Sequence, residues 1–139
     1  MGSYKHIEHA VGEYIAARYS RAIEAGIGNN TDAAELVAGA GALKGCTDIR
    51  PLTLPPSLNF HQDDIFDPDM SHYRGADVIF AIRPAIEMLP PLIRIASEAD
   101  CDLVVYHLGF EQYGDGGEKI DCGVLLHRYR KRSEPVKEG

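Results

Sequence analysis

The sequence predicts an α/β protein: one three-layer domain, with helices on both faces of a mostly parallel sheet. Three observations carry this. Short apolar runs alternate with helical patterns along the 139 residues, as βαβ units require. Two runs, over residues 77–82 and 102–108, are nearly continuously apolar, which marks strands buried on both faces of a parallel sheet. The first run ends in Glu24-Ala25-Gly26-Ile27-Gly28-Asn29-Asn30, an acid and a two-glycine turn leading into a helix, and such turns let a ligand approach the main chain.

The elements follow in order. Residues 4–19 form an amphipathic helix: Ile7, Val11, Tyr14, Ile15 and Arg18 recur at three- and four-residue steps, with Lys5, Glu8 and Glu13 on the other side. A strand over 21–25 follows. Asn30 and Asp32 then offer caps for a helix over 32–39, with Asp32 and Glu35 at capping-box spacing. Residues 43–49 form the second strand. The prolines between 51 and 56 hold a loop, and 58–62 form a short third strand near the sheet edge. After a turn-rich stretch over 67–73 comes the fourth strand, 77–82. Pro91 starts a helix whose buried face is Leu92, Ile93, Ile95 and Ala96. The fifth strand follows at 102–108, then a turn at Gly114-Asp115-Gly116-Gly117. The last strand, 124–129, lies antiparallel. The whole chain, 1–139, reads as one domain with a flexible tail over 133–139.

Composition limits function. Charged residues make up 25% and hydrophobic residues 45%, the balance of a globular protein. The formal charge of −7 disfavours nucleic acid, whose phosphates need clustered cations. The cluster Arg128, Arg130, Lys131 and Arg132 reads as a solvated strand end and tail. Cys46, Cys101 and Cys122 form no Cys-x-x-Cys pair and no disulfide framework, and read as inert thiols of a reducing, cytoplasmic compartment. No run approaches 18 apolar residues, so no membrane span is expected.

The candidate site residues stand where strands end, the edge at which ligands bind in such sheets. Gly26 and Gly28 admit a ligand to the backbone, and Asn30 is the third small position. Glu24 ends an apolar strand and must be solvated or paired. It either meets a cationic ligand group or holds the turn. Asp48 ends the second strand, 24 residues after Glu24. A carboxylate there accepts both hydroxyls of a ribose, or braces a loop. His61, Asp63, Asp64, Asp67, Asp69 and His72 cluster without helical ligand spacing, so solvated turns rather than a metal are expected. Asp64 differs, because it directly follows the third strand and could accept from an adenine amino group. Arg83 follows the fourth strand and either forks onto an anion or braces an acidic loop. His107 closes the fifth.

These residues resemble the class I S-adenosylmethionine-dependent methyltransferase fold. Glu24 to Asn30 resembles its acid-x-Gly-x-Gly-x-Gly motif, Asp48 its ribose-binding acid, and Asp64-Ile65 its adenine-contacting pair. The whole chain, from about residue 7 to residue 130, is similar to a small uncharacterised archaeal family of Rossmann-like proteins, through Asp63-Asp64-Ile65-Phe66-Asp67-Pro68, Tyr73 and Ile82-Arg83-Pro84. The resemblance implies a Rossmann-like domain with S-adenosylmethionine as cofactor. It would be held by Glu24, Gly26, Gly28, Asn30, Asp48, Ile49, Asp64, Ile65 and Arg83, with Glu24 toward the methionine ammonium. The fourth strand carries Arg83-Pro84 where amino-methylating enzymes carry Asn/Asp-Pro-Pro-aromatic. The chain is also short in the acceptor-binding region, so the acceptor would sit shallowly or come with a partner. Two other readings stand beside this one. One is a non-catalytic module sensing NAD or another nucleotide, against which the charge of Glu24 beside a pyrophosphate counts. The other is a ligand-free scaffold acting through a protein partner or a homodimer, with Tyr129 and the last strand pairing edge to edge.

Overall fold

The computed structural model describes residues 3–133. Most of the expected tail lies outside the described residues; Ser133, its first residue, donates its N–H to Asp100 at 3.0 Å.

Among the described residues, seven strands form one sheet in the order β3-β2-β1-β4-β5-β7-β6. They are β1 (Ala22–Ala25), β2 (Leu43–Asp48), β3 (Phe60–Gln62), β4 (Val78–Ile82), β5 (Asp102–Tyr106), β6 (Glu118–Asp121) and β7 (Leu125–Arg130). Neighbours from β3 through to β5 pair in parallel. β7 runs antiparallel to both β5 and β6. The chain builds outward from β1 to β3, then returns to β1's other side for β4. The order therefore reverses between β1 and β4, which opens a crevice at their carboxyl ends.

Side chains alternate across the sheet. On one face Ala22, Val78, Phe80, Val104 and Leu126 pack on Val11, Ile15, Ala33 and Val37. The last four come from α1 (Ser3–Arg18) and α2 (Asp32–Gly39). On the other face Ile23, Ala25, Ile79, Ala81, Leu103 and Val105 meet Leu89, Leu92, Ile95 and Ala96 of α3 (Leu89–Ala99). The three layers stand as expected.

Several details differ. Glu8 is buried, at 2% exposure, rather than on the solvent side of α1. It lies near Arg83, Asp32 and Glu24, so helical periodicity alone could not place it. α2 starts at Asp32 with Thr31 as its cap residue, and Thr31 Oγ1 donates to Glu35 Oε2 at 2.5 Å. β6 is an added edge strand. It is mostly exposed and has no apolar run to announce it. Consequently β7, with Tyr129, lies inside the sheet, and the charged Glu118, Lys119 and Asp121 line the open edge, a device that discourages edge pairing. Arg128 pairs with Glu118 and, at 3.4 Å, with Asp102, and Arg130 pairs with Asp100 at 3.0 Å. Cys46 and Cys101 are buried, and burial pushes both thiols up to about 12. Cys122 lies in the β6–β7 turn.

Candidate functional site

A cavity of about 260 Å³ opens at the carboxyl ends of β1, β2 and β3, lined by Gly26, Thr47, Asp48, Ile49, Asp63, Asp64, Ile65, Phe66 and Met88. Five of the nine sequence-derived candidates, Gly26, Asp48, Ile49, Asp64 and Ile65, meet there.

The glycine turn forms one wall. Gly26 and Gly28 have φ of +66° and +63°, a left-handed conformation that costs other residues energy. A Cβ on Gly26 would stand 3.3 Å from Met88 Cε. The Met88 side chain thus lies on the bare backbone where the turn faces the cavity. Asn30 is not left-handed; its Oδ1 accepts the Asp32 N–H at 3.1 Å and so serves the start of α2.

Asp48 is buried, at 7% exposure. Its Oδ2 accepts from the Gly28 N–H at 2.8 Å, and its Oδ1 from the Arg50 N–H at 2.9 Å and Arg50 Nε at 3.2 Å. Burial works against its charge, but these donors and the Arg50 guanidinium outweigh it and hold the carboxyl below its usual range. Asp48 is therefore an anion that ties the glycine turn to β2. A carboxylate offers about four lone-pair sites, of which these bonds use three.

The remaining walls come from the β3–β4 segment. Asp64 Oδ1 accepts the Phe66 N–H at 2.9 Å, an Asx turn that fixes the loop. Asp63 accepts from the Asp69 N–H at 2.9 Å and the buried Tyr73 hydroxyl at 2.7 Å. Ile65 is buried, whereas Ile49 and Phe66 are 62% and 59% exposed at the cavity. Thr47, Asp63, Phe66 and Met88 were not among the sequence-derived candidates. Thr47, Asp63 and Phe66 adjoin residues that were. Met88 precedes α3 and carries no signal in sequence.

Glu24, Gly28, Asn30 and Arg83 do not line the cavity. Glu24 is 2% exposed, and its Oε1 has no hydrogen-bond partner among the described residues. It alternates with Ile23 and Ala25, which pack toward α3, so its side chain turns to the α1 face of the sheet. There it meets Glu8, whose Oε2 likewise has no hydrogen-bond partner among the described residues. Burial, then the Glu8 charge, pushes Glu24 well above the usual carboxylate range, against the Arg83 charge. Burial raises Glu8 to about 7, with Arg83 opposing and Asp32 adding. Arg83, at φ +54°, accordingly faces these two acids. Its N–H donates to the Tyr106 carbonyl at 2.6 Å. Glu24 is turned away from the cavity, so it is not the group that a pyrophosphate there would meet.

His107 directly follows β5 and is buried. Among the described residues no three His, Cys, Asp or Glu side chains cluster to hold a metal ion. Among them, too, no helix is long and apolar enough to cross a membrane.

The strand order, the reversed β7 and the cavity beside the glycine turn define a Rossmann-like domain of methyltransferase-like architecture. The chain belongs to the Uncharacterised protein family UPF0146, whose model matches residues 8–119. A UPF0146 protein of Archaeoglobus fulgidus is 31% identical over 106 residues, covering 76% of this chain and 78% of its own. One from Pyrococcus abyssi is 30% identical over 126 residues, covering 86% and 91%. Among solved structures, an RNA methyltransferase from Salinibacter ruber in complex with S-adenosyl-L-homocysteine superposes with a TM-score of 0.63 at 17% identity, covering 96% of this chain and 95% of that one. An S-adenosyl-L-methionine methyl transferase from Silicibacter pomeroyi gives 0.50 at 16% identity, covering 89% of each. At such identities the likeness establishes the fold.

Proposed function

We propose that the protein binds S-adenosylmethionine, or its demethylated product, in the cavity at the ends of β1 to β3, and is a methyltransferase-like protein. One observation carries the reading: a single cavity gathers Gly26, Asp48, Ile49, Asp64 and Ile65.

The chemistry of the walls fits an adenosine. Asp48 is anionic and has acceptor capacity left for a ribose hydroxyl. The second hydroxyl takes the position of Arg50 Nε, on an exposed side chain that can swing away. Ile49 and Phe66 expose apolar surface at the cavity, which a planar base would cover. Asp64 keeps one carboxylate oxygen for the adenine amino group. The volume of about 260 Å³ is just under the roughly 300 Å³ lower end of small-ligand sites. The cavity therefore takes the nucleoside, and the amino-acid portion runs over Gly26 once Met88 moves aside. Bound S-adenosylmethionine supplies an activated methyl group on its sulfonium. The protein's part is positioning, which in a direct displacement accounts for much of the rate.

Calorimetric titration with S-adenosylmethionine, S-adenosylhomocysteine and NAD tests this. The expected result is micromolar binding of the two sulfur-containing ligands and none of NAD. Binding of NAD alone would replace the reading with a nucleotide sensor. Silence from all three would leave a scaffold that acts through its surface.

A further inference from the structure

Large apolar side chains stand exposed at one edge of the sheet. Among the described residues they are Ile49, Phe66, Leu108, Phe110, Tyr113 and Leu125. Ile49 and Phe66 follow β2 and β3 and line the first cavity. Leu108, Phe110 and Tyr113 belong to the loop after β5. Leu125 begins β7, which runs antiparallel to β5, so it too lies where β5 ends. Apolar residues exposed singly are ordinary, but a group gathered on one flank marks a contact surface.

This flank has a shaped centre. A second cavity of about 260 Å³ opens there, lined by Gly109 from the loop, by Gly123, Val124 and Leu125 around the β6–β7 turn, and by Tyr106 among its other walls. No carboxylate, lysine or arginine lines it. The loop beside it is tied down. The Glu111 N–H donates to the Leu108 carbonyl at 3.2 Å, which closes a turn with Phe110 at its tip. The Tyr113 N–H donates to the Tyr129 hydroxyl at 2.9 Å. Phe110 nonetheless stands fully exposed. A ring held out by a fixed turn adds nothing to the core, and its apolar area is recovered only when a partner covers it.

Charge surrounds this apolar centre. Glu111 and Asp115 are exposed in the loop, and Asp121 is the cross-strand partner of Leu125. Glu118 is engaged by Arg128. Lys119, the one lysine or arginine between residues 107 and 125, lies further along β6, opposite His127. The flank is thus apolar at its centre and anionic at its rim, the layout of a protein interface. Its charge repels phosphate polymers, which need clustered cations.

We infer that this flank docks a protein partner through a basic segment that carries an apolar anchor. The anchor enters the cavity beside Gly109 and packs against Leu108 and Phe110. Lysines or arginines on either side of it meet Glu111, Asp115 and Asp121. Both cavities open at the same edge of the sheet, but this inference does not rest on what the first one binds.

The test follows the fluorescence anisotropy of a dye-labelled peptide of lysines with leucine anchors, titrated with full-length protein at low salt and without nucleotide. Saturable binding is expected. Phe110→Ser combined with Leu125→Ser should weaken it roughly tenfold or more. Glu111→Gln combined with Asp115→Asn should weaken it a few-fold and flatten its salt dependence. Glu13→Gln combined with Glu98→Gln removes the same charge from helix surfaces elsewhere and should leave affinity unchanged. All these positions are exposed, so the variants keep the fold. A peptide with glutamate in place of lysine, or serine in place of leucine, should bind at least about tenfold more weakly. No saturable binding, equal binding of the glutamate peptide, undiminished binding in the Phe110 and Leu125 variant, or an equal loss in the Glu13 and Glu98 variant would overturn the inference. So would self-association of the protein that the Phe110 and Leu125 changes abolish, since the flank would then belong to a second copy of the chain.

Discussion

Two neighbouring strands end in carboxyl groups with opposite fates. Asp48 closes β2 at a cavity, accepts three hydrogen bonds and is held ionised. Glu24 lies one strand away on β1, within the core. It faces another acid, leaves Oε1 without a hydrogen bond among the described residues and is pushed toward its neutral form. Both are little exposed, at 7% and 2%, but Asp48 borders a cavity and Glu24 does not. The difference lies in that setting and in what each finds there. Backbone donors and a guanidinium can outweigh the cost of desolvation, whereas a second carboxyl adds to it. An acidic pair in sequence thus resolves into a cavity-lining anion and a carboxyl within the core.

The largest effect should come from the proton-holding side. Glu8 is raised from 4.5 to about 7 in the folded protein, so the folded state holds a proton that the unfolded chain has released. Stability then falls as pH rises from 4.5 to about 7, and Glu24, raised as well, adds a fall of the same sign. Glu8→Gln should remove the Glu8 part of that slope and exceed the parent by up to about 3 kcal/mol at pH 8, as read by urea unfolding across pH. A parent whose stability rises over this window would break the comparison. Next, Gly26→Ala forces a side chain into φ +66° against Met88 and should cost about 1–2 kcal/mol, seen as a lower Tm, together with weaker binding of S-adenosylhomocysteine. The smallest stability effects belong to the exposed residues. Ile49→Ser and Phe66→Ser should change stability by no more than about 0.5 kcal/mol. Each should still weaken S-adenosylhomocysteine binding roughly tenfold, through lost apolar contact.

The sheet was legible because its strands are apolar and its turns are punctuated. Asp48, Ile49, Asp64 and Ile65 were legible because they follow strand ends, where the topology builds a cavity whatever the ligand. Three features were not. Glu8 falls on the polar side of α1 by periodicity, and only the packing of α1 on the sheet brings it near Glu24 and Arg83. β6 is a polar edge strand, fixed by pairing with β7 rather than by its own pattern. Met88 reaches Gly26 from the segment before α3, a contact between residues 62 positions apart that no local signal encodes.

The most direct measurement compares S-adenosylhomocysteine affinity in Asp48→Asn and Glu24→Gln by calorimetry at pH 7. Asp48→Asn removes an ionised acceptor at the cavity and should weaken binding about 10- to 100-fold. Glu24→Gln changes a buried acid that does not line the cavity and should leave affinity within about twofold, since no lost interaction faces the ligand. Strong loss in Glu24→Gln with full binding in Asp48→Asn would contradict the account.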